Sequence, residues 1–495
     1  MSKQLVIVIL SVLYIGISLI VGIWFTRRQK NMGEYFLAGK SAGPLVLGIA
    51  TAAGLMSGWS FIGSPGMAYQ YGFGYLTAFA FIPFSSLIPW FLFARKFRIL
   101  ADSHNCMTVP DVISARFNNR TLTLLCSIGT LFGLIAYTCA QFMALGYLLS
   151  VIFGLSYEVA VLVGVAIIGV YTVAGGQRGV LWTNVIQGTL MVLASAGVFF
   201  FAWIYIGGPG AAYSGMKSID PQLVTFIGKC PVGWWISYII VSLLGATAYM
   251  SFLPRFFMIR DMKSLRSAPV LTPILTIIMG MLGWSVPFAY LTLQSQGLAP
   301  IISEADEVMP SFLMMFTPNM LAGLLMAGAL AAIMSTAAVY MNIGAATIVN
   351  DLGVRHLNLK FKNPVAVARW ATVFFTVVVL LLSLTATEFV MMMGVAAMGV
   401  WASTVGAVIT FGLYWKGTTK EGAIAGASIG LFFSIVLALM SMYEIYKLPY
   451  GIIPGGVGAL LSFLTVFVVS LYTKKKPMDE KMEGIVAMPL IAWRL

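Results

Sequence analysis

Thirteen long apolar runs cross this chain, and none of them carries a carboxylate near its middle. The runs fall at about 5–26, 44–70, 73–94, 121–149, 157–176, 184–206, 233–256, 268–292, 318–348, 367–387, 389–414, 422–442 and 451–473. Each is about 20 residues or longer, enough to cross the hydrocarbon core of a bilayer as a helix. None shows the period-2 alternation of a barrel strand. Lipid offers the backbone no hydrogen-bond partner, so a crossing segment must satisfy its own N–H and C=O groups, as a helix does. With 60% hydrophobic and only 9% charged residues, the chain has more apolar surface than a water-soluble core can bury. These features predict an all-α polytopic membrane protein with about 13 transmembrane helices.

The net charge of +13 is distributed as a membrane protein distributes it. With the N-terminus outside, only Lys3, Lys217, Lys229 and Lys447 face outward, and the other 25 of the 29 Lys and Arg residues fall on the inner side. That asymmetry places the C-terminus in the cytoplasm. The acidic cluster Glu304, Asp306 and Glu307 then lies in an outer loop. No basic stripe interleaved with aromatics remains to bind nucleic acid, so lipid is the expected surroundings. The first run lacks a small-residue cleavage site and is followed by Arg27-Arg28, which reads as a retained span. Residues 1–475 read as one membrane domain and 476–495 as a short, solvated cytoplasmic tail, with a short interfacial helix in the inner loop 95–120. Compact loops and a short tail suit a bacterial inner membrane. Cys106, Cys126, Cys139 and Cys230 show no paired spacing and read as free thiols.

All sixteen Asp and Glu residues fall in loops or at segment ends. A cation inside the membrane is therefore left with hydroxyls, backbone carbonyls and ring faces. Ala332, Ser335 and Thr336, at i, i+3 and i+4, put one carbonyl and two hydroxyls on a single helix face, a patch suited to a small hard cation. The competing reading is that both hydroxyls bond back within their own helix. The second and seventh runs, five spans apart, both carry helix breakers: Gly54, Gly58 and Gly63-Ser64-Pro65-Gly66 in one, Gly245 and Pro254 in the other. Unwinding from Ala53 to Met56 would free further carbonyls, as broken helices of transporters do. Gln141, an amide at the centre of an apolar run, needs a partner, either a ligand or another helix. No His-Asp, Cys-His or metal-ligand cluster stands at a membrane edge, which argues against an enzyme. His104 and His356 are the only histidines and lie in cytoplasmic loops, so a proton carrier would lack an intramembrane titratable group.

Several stretches in order resemble the sodium/solute symporter family, which includes bacterial proline and pantothenate carriers and the sodium/glucose carriers. They are Glu34-Tyr35-Phe36-Leu37-Ala38-Gly39-Lys40, Met56-Ser57-Gly58-Trp59, Ser60-Phe61-Ile62-Gly63-Ser64-Pro65-Gly66, Tyr171-Thr172 with Gly175-Gly176 and Trp182-Thr183, Ala331-Ala332-Ile333-Met334-Ser335-Thr336, Asn350-Asp351-Leu352 and Leu413-Tyr414-Trp415-Lys416. The resemblance runs from about residue 5 to 475. It implies a leucine-transporter-like fold with a 5+5 inverted repeat over spans 2–6 and 7–11. It also implies a sodium site made of the backbone oxygens of Ala53, Met56 and Ala332 and the hydroxyls of Ser335 and Thr336. Ser57, Trp59, Gln141, Tyr249 and Trp401 would face a midplane substrate cavity. The chain departs from the family where proline-type members have an acid and it has Leu55, and where many members have an acid and it has Asn184. Met250-Ser251 stand where proline- and pantothenate-type members place Pro-His before the arginine matched by Arg255, with Pro254 displaced.

The expected function is sodium-coupled symport of a small organic solute by alternating access. A carboxylate-bearing solute such as pantothenate or an amino acid fits the positive end of a half-helix. Sugar or polyol symport, proton coupling, a transporter-like sensor and a channel are the alternatives. Only about 20 residues follow the last run, too few for a signalling domain, and no repeated pore segment or charged ring is visible.

Overall fold

The computed structural model describes residues 1–25, 31–385, 390–474 and 477–489. Arg27, Arg28, Lys475 and Lys476, and the first residue of the eleventh run, lie outside the described residues. Among the described residues every regular element is helical, and the β pairing is a single parallel bridge between Ala42 and Ile259. Among the described residues eleven helices are long and apolar enough to cross a membrane, or twelve if the bent pair Pro44–Leu55 and Trp59–Tyr71 is one span. With the bent pair taken as one span, this count takes two of the thirteen runs together. Runs 157–176 and 184–206 fall within one element, Tyr157–Ile206, which is interrupted at Gly176, where φ is 52° and ψ is −161°. Straight, 50 residues would reach about 75 Å, more than twice the hydrocarbon thickness.

Helix Asn319–Ala346 forms the centre and is buried at every position from Leu325 to Ala346. It packs against Lys3–Trp24, Arg120–Phe153 and Tyr157–Ile206. Small residues allow the close approach: a Cβ at Gly328 would stand 2.9 Å from that of Ala194. Arg120–Phe153 is closed at both ends by local chemistry. Asn119 accepts from the Leu122 N–H, and Gly154 takes the left-handed conformation at φ 67°.

The second span is broken. Helix Pro44–Leu55 ends at Met56, which is extended (φ −77°, ψ 129°), and the chain resumes in a π-turn at Trp59–Gly63 and helix Ser64–Tyr71, bent by 59°. Close approach explains the two glycines that flank the break. A Cβ at Gly54 would strike the Arg255 guanidinium, and one at Gly58 would sit 2.6 Å from the Ala144 Cβ. The Gly63-Ser64-Pro65-Gly66 run, expected as a further break, is helical instead. Pro65 follows directly on the π-turn Trp59–Gly63 within the continuous helix Trp59–Tyr71, and the looser π-turn accommodates a residue without an N–H. The freed Gly58 N–H donates to Gln141 Oε1 at 2.9 Å.

The seventh span breaks as well. Helix Val232–Gly245 tightens to a 3₁₀ turn at Ala246–Ala248, Tyr249 is extended, and the short helix Leu253–Phe256 follows. The inner ends of the two broken spans are joined. Ala42 N–H donates to Met258 O at 3.1 Å, Arg260 N–H donates to Ala42 O at 3.0 Å, and Arg255 Nη1 donates to Ala50 O.

The inner loop contains two short helices, Ala94–Ser103 and Val109–Phe117. The tail is not the solvated end expected from its composition. Helix Glu480–Ala487 buries Met482, Ile485 and Val486, Lys96 Nζ donates to Val486 O at 3.2 Å, and Lys416 pairs with Glu483 at 2.8 Å. In the loop 300–307, the turn Ala305–Glu307 lies against Gly66 of the second span. Burial, with Glu304 beside it, pushes the Asp306 carboxyl up to about 6.

Two predictions follow from these contacts. Gln141→Leu keeps volume but orphans the Gly58 N–H, and it should destabilise the protein by about 1–3 kcal/mol, read as a lower Tm in detergent; an unchanged Tm would mean the cap is dispensable. Because Asp306 holds its proton more tightly when docked, its contribution to docking is complete below about pH 4 and is lost as pH rises through 6. Amide exchange at 302–308, corrected for intrinsic rates, should therefore quicken between pH 5 and 7.5, and Asp306→Asn should flatten that dependence.

Candidate functional site

The break in the second span and the unbroken helix Asn319–Ala346 meet face to face. Ser335 Oγ donates to Ala53 O at 3.0 Å and to Ala332 O at 2.8 Å. Thr336 Oγ1 lies 3.0 Å from Met56 O and 3.5 Å from Gly54 O. Thr336 thus reaches across to the break rather than back into its own helix, and Ser335 does both. Ala53, Met56, Ala332, Ser335 and Thr336 are all fully buried. Five oxygens, three carbonyls and two hydroxyls, converge with no carboxylate among them. This neutral, hard donor set fits a small monovalent cation. The buried carboxylates among the described residues are Asp111 and Asp351, both at the Thr347–His356 end of the ninth span.

An aromatic cluster stands beside this oxygen patch, centred on Tyr137. Its ring stacks on Trp401 (5.8 Å, 13°) and meets Tyr340 edge-on (5.0 Å, 79°), and Tyr340 in turn meets Trp401 (5.6 Å, 66°). Ser57 Oγ and Tyr137 Oη are 3.3 Å apart. Trp59 is buried against Phe79, with its indole N–H unpartnered. Tyr249 Oη reaches Met398 Sδ at 3.7 Å, and Trp401 Nε1 donates to Thr130 O at 3.2 Å. Ser57, Trp59, Tyr249 and Trp401 are therefore all in or beside the cluster. Gln141 has a different part: its amide oxygen caps Gly58, and its nitrogen is 3.5 Å from Tyr137 O.

Tyr137 and Tyr340 were missed in the sequence, although each lies four residues from a residue singled out there, Gln141 and Thr336, and so on the same helix face. Asn184 and Leu55, which replace family acids, are both buried. Oriented to satisfy its neighbours, the Asn184 amide accepts from Arg255 Nη2 at 2.8 Å and donates to Gln187 Oε1 at 3.0 Å. Further toward the inner end, a cavity of about 20 Å³, room for one water, is lined by Thr130, Gln177, Met250, Pro254 and Asn342. Both amide atoms of Asn342 are unpartnered. Beyond it, Thr108 Oγ1 donates to Asp351 Oδ1 at 2.5 Å, Asn350 Nδ2 donates to Asp111 Oδ2 at 3.0 Å, and Arg355 pairs with Asp111 at 2.9 Å. This cluster ties the start of Val109–Phe117 to the π-helical end of the ninth span, Thr347–His356.

Known proteins agree with this architecture. The model of the sodium:solute symporter family matches residues 35–430. The sodium/pantothenate symporter of Haemophilus influenzae is 28% identical over 456 residues, covering 89% of this chain and 91% of that protein. The high-affinity proline transporter PutP of Bacillus subtilis is 27% identical, covering 92% and 96%. Among solved structures, a substrate-bound, outward-open Na+-coupled sialic acid symporter superposes with a TM-score of 0.79 at 19% identity, covering 97% of this chain and 99% of that one. That superposition establishes the leucine-transporter-like fold. The chain belongs to the sodium:solute symporter family and is a sodium-coupled membrane transporter, not an enzyme.

Proposed function

We propose that the coupling sodium is held by the carbonyls of Ala53, Met56 and Ala332 and the hydroxyls of Ser335 and Thr336. The observation that carries this assignment is that two hydroxyls on the ninth span meet carbonyls of the broken second span some 280 residues away. In this reading the transported solute is small and carboxylate-bearing, such as pantothenate or an amino acid. It is recognised among Ser57, Trp59, Tyr137, Tyr249, Tyr340 and Trp401, whose rings supply apolar walls and whose hydroxyls supply the polar contacts. Gln141 supports the site by capping the outer half-helix.

Coupling follows from shared parts. Ser57 and Trp59 directly follow Met56, so an ion that fixes the Met56 carbonyl also fixes the backbone that presents those two side chains. Such an ion favours the conformation that takes solute, and the solute favours the ion by the same factor. The surroundings in this reading are a bacterial inner membrane, with the N-terminus outside and the C-terminus in the cytoplasm.

Uptake in proteoliposomes tests the assignment, with labelled pantothenate, L-proline and a mixed amino-acid set under an inward sodium gradient. The Ser335→Ala/Thr336→Ala double variant should lose sodium-dependent accumulation by about tenfold or more while remaining monodisperse. Undiminished sodium dependence would contradict the assignment. Accumulation driven by a proton gradient alone would show that another ion couples.

A further inference from the structure

We infer that Arg255, Ser251 and Tyr340 form a binding site for a small anion beside the aromatic cluster, and that this site receives the carboxylate of the transported solute. The inference deepens the proposed function by assigning the solute's charged end. It depends on the sodium assignment only for its coupling consequence.

Arg255 is 1% exposed, and its guanidinium stays ionised in a protein. Its partners are neutral: Nη1 donates to Ala50 O and Nη2 to Asn184 Oδ1, while Nε has none. Among the described residues no carboxylate pairs with it. A buried charge without a counter-charge is costly, and the cost falls sharply when an anion completes the pair.

Two hydroxyls stand with it. Ser251, four residues earlier and on the far side of the short turn, is fully buried with Oγ unpartnered. Tyr340 is also fully buried, its Oη having no partner beyond the neighbouring Ser251 hydroxyl, and it stands near Arg255. Two buried hydroxyls with hydrogen atoms to give thus adjoin a guanidinium whose partners are all neutral. A water has no charge to set against the guanidinium. A carboxylate has both the charge and the lone pairs to accept from an arginine and two hydroxyls at once. Tyr340 also belongs to the aromatic cluster, so a solute among the rings has its carboxylate within reach of this site.

The location has a consequence for coupling. The guanidinium occupies the space a Cβ at Gly54 would need, immediately beside Ala53. An unneutralised Arg255 therefore repels a cation held at the Ala53 and Met56 carbonyls. An anion on Arg255 cancels that repulsion, so carboxylate and sodium raise each other's affinity.

The test uses the full chain in nanodiscs, with the tryptophan fluorescence change contributed by Trp59 and Trp401, two of the twelve tryptophans, read as the difference from the Trp59→Phe and Trp401→Phe variants. Acetate, the minimal carboxylate, is titrated as its choline salt in sodium-free medium and then at fixed levels during sodium titrations, with chloride as a parallel arm. A saturable acetate response is expected in the parent protein, weakened several-fold in Ser251→Ala and Tyr340→Phe and absent in Arg255→Met. Acetate should also raise apparent sodium affinity on the order of tenfold. Arg255→Met should raise it by a similar factor without acetate, whereas Arg255→Lys, which keeps the charge, should not. The lysine variant and a monodispersity check separate a lost site from a lost fold. An equal response to chloride would assign the site to an inorganic anion and overturn the carboxylate. No acetate response in the parent, or an unchanged one in Arg255→Met, would overturn the site itself. A normal acetate response with no sodium response would instead point to failure of the sodium assignment.

Discussion

A backbone group freed inside a membrane must find its partner within the protein, because lipid supplies none. The centre of this molecule is organised around that constraint. Unwinding at Met56 and Ser57 releases carbonyls from one half-helix and N–H groups from the next. Gln141 from the fourth span takes the Gly58 N–H, while Ser335 and Thr336 from the ninth take the Ala53 and Met56 carbonyls. These contacts require three helices to come very close, which Gly58 allows: a Cβ there would meet Ala144 of the fourth span and Ile333 of the ninth. The carbonyls are thereby held by hydroxyl hydrogens, which can turn aside for a cation without any shift of the backbone.

The charge pattern of the interior is as informative as its oxygens. A site built from carboxylates would keep a permanent negative charge for the ion. Here Leu55 and Asn184 remove that option, and the adjacent fixed charge is the positive Arg255. In the proposed scheme sodium affinity depends on what else is bound, a suitable property for a symporter that should not carry sodium alone. The buried acids Asp111 and Asp351 are kept at the inner end, where Arg355, Asn350 and Thr108 hold them. There they secure the end of the ninth span and take no part in the oxygen patch.

Much of this was legible in the sequence because it depends on local periodicity. The Ala332, Ser335 and Thr336 face follows from helical spacing, and the broken second and seventh spans follow from their paired breakers. Features that depend on long-range partners were hidden. Gln141 announced that it needed a partner but not that the partner was Gly58. Pro65 looked like a break, yet the helix runs through it, eased by the π-turn Trp59–Gly63 just before it. Gly176, in the left-handed region, breaks Tyr157–Ile206 into two helices with no loop between them, a junction that two separate apolar runs do not reveal. The tail helix was missed because three apolar residues, Met482, Ile485 and Val486, are enough to dock it once Lys96 and Lys416 are in place.

The central claim is that sodium binds at the break in the second span, on neutral oxygens shared with the ninth. Hydrogen–deuterium exchange of the full chain in nanodiscs, compared in sodium and in choline at equal ionic strength, tests it most directly. The account predicts sodium-dependent protection confined largely to peptides covering 50–63 and 330–340, where an ion would fasten the unwound backbone to its neighbour. Equal exchange of both segments in the two salts, with protection elsewhere, would contradict it.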